Sequence, residues 1–153
     1  MVLVQCDRIL RAAENYGDAK RDFPAFHRAR RDANNLLQGE RFLLLCAGRE
    51  MVRALDKFQM GRLPGAMHDD MTHFRDALSH WDNWGKRQRG EKLIQRRYPD
   101  EWPFQVEIKN GDVLIGGSLK VSEIQRVAEQ LYAWLEDPSG PTGLEKQPDP
   151  HTH

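Results

Sequence analysis

The sequence has little that could staple or anchor a fold. Only two cysteines occur in 153 residues, Cys6 and Cys46, each within a helix-like apolar pattern and far from the other. They predict buried, reduced thiols, which excludes a disulfide framework and paired-cysteine zinc spacing. No apolar run approaches the roughly 18 residues that a membrane-spanning helix needs. The opening stretch, Met1-Val2-Leu3-Val4-Gln5-Cys6-Asp7-Arg8, lacks a basic start, an uninterrupted apolar segment and a small-residue cleavage site, so a cytoplasmic location is expected. Charge of one sign is missing too: 23 basic and 23 acidic residues cancel, which argues against a surface built throughout to grip nucleic acid. There is no Gly-rich phosphate loop, nucleophile elbow or β-α-β nucleotide fingerprint. No cofactor is expected.

What is present is a chain of one-domain length with 30% charged and 39% apolar residues, suited to a single hydrophobic core under a well-solvated surface. Leu3, Cys6, Leu10 and Ala13 recur at helical spacing, and Tyr16-Gly17-Asp18 reads as the stop. From Ala25 a second pattern builds through Leu37 into Leu44, Gly48, Met51, Leu55 and Phe58, either one long helix or two broken at Gly39. Gly61-Arg62-Leu63-Pro64-Gly65 ends it. Met67, Met71, Phe74, Leu78 and Trp81 predict a third helix over about 66–84. Phe104-Gln105-Val106-Glu107-Ile108-Lys109 alternates apolar and polar, and with the turn Asn110-Gly111 and the return strand Asp112-Val113-Leu114-Ile115 it reads as a β-hairpin within about 104–116. Ser122-Glu123-Ile124-Gln125 looks like a capping box opening a last helix that buries Ile124, Ala128, Leu131 and Leu135. The expected architecture is mainly α, a four-helix-bundle-like domain over 1–137 with the hairpin inserted before the last helix. Residues 138–153, rich in proline, are expected to be a disordered tail.

The third helix concentrates polar groups. On a wheel of about 100° per residue, Asp69, His73, Asp76 and His80 share one narrow sector opposite the apolar stripe, predicting an exposed polar seam. Arg75 stands about 140° from His80, so these two flank a surface rather than form a compact dyad. An arginine four to six residues before a histidine occurs three times in the chain, at Arg21 and His27, Arg62 and His68, and Arg75 and His80. The first match contains Pro24 and the second Pro64 and Gly65, so only the third lies on an uninterrupted periodic helix.

Arg75-Asp76-Ala77-Leu78-Ser79-His80 resembles the arginine, polar residue and histidine motif of the HEPN-domain superfamily, whose members are helical bundles of about this size; Asp82 extends the likeness loosely. The resemblance covers residues 66–85. It implies a metal-independent endoribonuclease acting as a homodimer, with Arg75 and His80 as the catalytic pair, Asp76 orienting it, and a cyclic phosphate left on the RNA product. A role as a toxin or defence component with a cognate antitoxin partner would follow. The chemistry is coherent, since an imidazole can move a proton near neutral pH and a guanidinium can hold phosphoryl oxygens where charge develops. Lys86, Arg87, Arg89, Lys92, Arg96 and Arg97 follow the motif and could bind the neighbouring RNA phosphates. Arg28, Arg30 and Arg31 form a second basic cluster with no motif beside it.

Two other readings stand beside this one. A non-catalytic helical binding or regulatory module would use the polar seam as a protein interface. A metal-binding bundle would take Asp69, His73, Asp76 and His80 as ligands, completed from Glu14, Glu40 or Glu50. Trp81 and Trp84 are expected to be core or dimer-interface residues rather than base-stacking platforms.

Overall fold

The computed structural model describes residues 1–79 and 105–147. These form a mainly helical bundle with a small antiparallel sheet before the last helix, in the order α1 (Val2–Asp22), α2 (Arg28–Lys57), α3 (Met67–Ser79), β1 (Val106–Lys109), β2 (Asp112–Ile115), β3 (Leu119–Lys120) and α4 (Val121–Glu136). Among the described residues no helix is long and apolar enough to cross a membrane.

Helix α1 buries Val2, Cys6, Ile9, Ala12, Ala13 and Ala19 and does not stop at Gly17. That glycine lies exposed within the helix, where it costs about 1 kcal/mol relative to alanine, and burial of Ala19 carries the helix onward. The true stop is Phe23, extended and followed by Pro24. Helix α2 is continuous through Gly39 over 30 residues. Its N-terminus is capped by His27, whose Nδ1 accepts the Ala29 N–H at 3.1 Å. At its other end Phe58, expected in the core, is exposed.

The hairpin forms as the Asn110-Gly111 pair demands. Lys109 faces Asp112, and both turn residues take positive φ, 53° and 76°, as a tight primed turn requires. Val113 and Ile115 point into the core. Beyond the expected pair, a turn at Gly116-Gly117 returns the chain as β3, pairing Ile115 with Leu119. Gly116 lies against α3: a Cβ there would sit 2.7 Å from Cζ of Phe74. Helix α3 comes closer still to α2, where a Cβ on Gly48 would collide with Sδ of Met71. The two glycines therefore let α3 seat between α2 and the sheet.

The capping box is not used as expected. Helix α4 starts at Val121, and Ser122 sits inside its first turn. The cap comes from Asp112 in the hairpin, whose Oδ1 accepts the Ser122 N–H at 3.0 Å while its Oδ2 accepts the Ser122 hydroxyl. Ile124, Ala128 and Leu131 are buried with Val121 and Val127, but Leu135 is 55% exposed. One apolar cluster joins the four described helices and the sheet.

The tail expectation needs correction over 138–147. The chain turns back there, and Glu145 pairs with Arg62 through two backbone hydrogen bonds of 2.8 Å. Its carboxylate accepts the Gly65 N–H at 2.8 Å. Donors and acceptors left over in the Gly61–Gly65 turn thus gain partners 80 residues away, a pairing that proline content does not reveal.

Candidate functional site

Helices α2 and α3 pack together, with Asp56 of α2 beside His68 of α3 and Arg49 beside Asp76. That antiparallel register lays the polar residues of α3 along one edge of α2. Phe74, Met71 and Ala77 are buried, so the arginine that follows Phe74 emerges at the edge of the contact between α2 and α3. Arg75 is 29% exposed, and its Nη1 donates to Oδ1 of Asp76 at 3.2 Å. Nε of Arg49 stands 3.6 Å from the same oxygen. Burial pulls the Arg75 pKa down, but hydrogen bonding and charge from Asp76 and Cys46 outweigh it, and the net shift is upward. Its charge is therefore permanent. Ser79 donates its hydroxyl to the Arg75 carbonyl at 3.0 Å, closing the local turn.

The polar seam is less open than its periodicity predicts. Asp69, His73 and Asp76 are half-buried. Asp69 accepts from Nη2 of Arg62 at 2.6 Å, and Asp76 is shared by two arginines. The expectation that Asp76 orients a histidine meets a carboxylate already engaged by Arg49 and Arg75. Metal ligation by Asp69 and Asp76 competes with the same guanidinium groups, and among the described residues no three His, Cys, Asp or Glu side chains gather closely enough to hold an ion. His80, Trp81, Asp82, Trp84 and the basic residues Lys86, Arg87, Arg89, Lys92, Arg96 and Arg97 lie outside the described residues.

The other two histidines preceded by arginine have structural roles. His27 caps α2 and stacks on Phe23 with ring centroids 4.4 Å apart. His68 is 3% exposed; its Nδ1 accepts the Leu63 N–H at 3.2 Å, and its Nε2 lies 3.2 Å from Oδ1 of Asp56. The two thiols differ as well. Cys6 is fully buried, and burial, reinforced by the charge of Glu129, pushes its pKa up to about 12. Cys46, expected in the core, is half-buried and touches Arg75.

Several buried polar groups escaped the sequence reading. Glu40 is 4% exposed and accepts from Arg8 at 2.7 Å; it is a buried ion-pair partner facing α1, not an available ligand. Arg41 is buried, and desolvation pushes its pKa down to about 10. Asp70 is 1% exposed and accepts the Ser118 hydroxyl at 3.1 Å, tying α3 to the turn before β3. Charged residues next to apolar stripes were the only available signal, and periodicity assigns such residues to the surface.

Compared with known proteins, no protein-family model matches the chain, and neither a curated protein nor a solved structure is significantly similar to it.

Proposed function

We propose that this protein is a HEPN-like, metal-independent endoribonuclease that works as a homodimer on single RNA strands. One observation carries the reading: Arg75 is held by Asp76 at 3.2 Å where α3 meets α2, with a second guanidinium, Arg49, against the same carboxylate. A forked, permanently charged donor that is positioned in advance suits a phosphoryl group whose oxygens gain charge during cleavage. In the proposed reaction the RNA 2′-oxygen bonds to the adjacent phosphorus while the bond from phosphorus to the 5′-oxygen breaks. The proton lost by the 2′-hydroxyl ends on the departing oxygen through the imidazole of His80, leaving a cyclic phosphate and a free 5′-hydroxyl. The basic residues from Lys86 to Arg97 supply phosphate contacts in this reading.

Cleavage of a labelled RNA in EDTA tests it. The expected result is cleavage that falls at least about a hundredfold in Arg75→Ala and in His80→Ala, with circular dichroism and thermal melting unchanged. Equal cleavage by both variants removes the proposal. A non-catalytic binding module is the second reading, favoured by the arginine partners of Asp69 and Asp76, and it predicts no cleavage by the parent protein.

A further inference from the structure

We propose that the outward face of α2 is a self-complementary surface on which a second copy of this chain docks antiparallel, with the two-fold axis passing beside Gly39. Arg28, Leu36, Gly39, Leu43 and Glu50 fall within a sector of about 80° on the helical wheel. Leu36 and Leu43 are 50% and 42% exposed, large apolar side chains that a helix packed only on its own chain would not need there. Between them Gly39 is exposed, and a Cβ added to it would meet nothing within 4 Å. A bare backbone flanked by two leucines is the geometry at which two helices can cross closely, glycine against glycine at the axis with the leucines packing on either side of it.

Charge decides the orientation and the partner. Arg28 lies eleven residues before Gly39 and Glu50 eleven residues after it, so each is about 16 Å from the glycine and about three full turns away on the same face. A two-fold axis at Gly39 therefore sets Arg28 of each copy opposite Glu50 of the other. A parallel arrangement would set like charges together. Both residues are exposed, with side-chain exposures of 84% and 61%, and each has only an intrahelical partner among the described residues, Asp32 for Arg28 and Arg53 for Glu50. The surface matches a second copy of itself because its two ends carry opposite charge at equal distance from the centre.

This assigns a surface to the homodimer that the ribonuclease reading invokes, but it stands on α2 alone. Sedimentation at micromolar concentration is expected to give a dimer for the parent protein and a monomer for Leu36→Glu/Leu43→Glu, with helical content retained. Glu50→Arg should weaken association about tenfold, because each dimer loses two attractions and gains two repulsions. The double exchange Arg28→Glu/Glu50→Arg should restore it. That exchange leaves both intrahelical pairs broken, so recovery reports only contact between copies. Gly39→Cys should cross-link to its own symmetry mate on mild oxidation. A monomeric parent protein, or a dimer unchanged in Leu36→Glu/Leu43→Glu, overturns the proposal. RNA cleavage is read separately: a parent dimer that these variants dissociate but that cuts no RNA retires the ribonuclease and keeps this surface, whereas a parent dimer that cuts RNA and is unchanged in Leu36→Glu/Leu43→Glu keeps the ribonuclease and retires this surface.

Discussion

On its inner side α3 meets its neighbours through Met71 and Phe74, both fully buried and each seated where a glycine removes the obstructing Cβ. On the side that meets solvent, Asp69, Arg75 and Asp76 remain half-buried, Asp69 paired with Arg62 and Asp76 with both Arg49 and Arg75. The inner contacts admit one arrangement, since a closely packed interior transmits any change of volume. The outer pairs trade water for protein partners at little net gain. Position is thus set by the apolar side, and the polar side is free to serve chemistry without holding the helix in place.

The largest effect that can sharpen this contrast is expected at Phe74. Phe74→Ala removes a ring that is 0% exposed and packed over Gly116, and should destabilise the fold by about 3–5 kcal/mol in chemical denaturation. A loss below about 1 kcal/mol would mean that the inner face does not position α3. A smaller effect is expected in the first turn of the same helix. His68→Leu keeps an apolar body but leaves the buried Leu63 N–H without its acceptor, at a cost of about 1–3 kcal/mol. Denaturation of His68→Leu indistinguishable from the parent would show that water reaches that amide and that His68 belongs with the outer face.

The features most readable from sequence were those whose causes are local. Asn110-Gly111 specifies its turn through two positive φ values, and the hairpin follows from four residues on each side. The apolar stripe of α3 is a repeat within a single helix, so Met67, Met71 and Phe74 could be read directly as buried, whereas the buried polar residues His68 and Asp70 could not. Features with distant causes could not. The cap of α4 comes from Asp112, ten residues upstream, whereas local sequence offers only Ser122 for that role. Glu145 joins Arg62 across 83 residues, against a composition that favours disorder. Gly17 has the chemistry of a stop and lies in a helix because Ala19 finds a place in the core. Within the candidate site, the sector shared by Asp69, His73 and Asp76 was legible as a period, whereas their pairing with Arg62 and Arg49 required the approach of another element.

The smallest effect bears most directly on the difference between the two sides. Asp76→Asn removes the carboxylate that Arg49 and Arg75 share, while its side chain remains about the same size and 36% of the original is already exposed. Because exposed pairs are screened by water and salt, the loss in stability should stay under about 1 kcal/mol. Two uncompensated guanidinium groups would then stand side by side between α2 and α3, and inorganic phosphate should bind there more tightly than to the parent protein, an effect that fades as salt is added. A thermal or chemical denaturation loss approaching that of Phe74→Ala would instead make Asp76 a clamp between α2 and α3. The division between a positioning side and a chemical side of α3 would then fail, because the carboxylate assigned to the chemistry would be holding the helix in place.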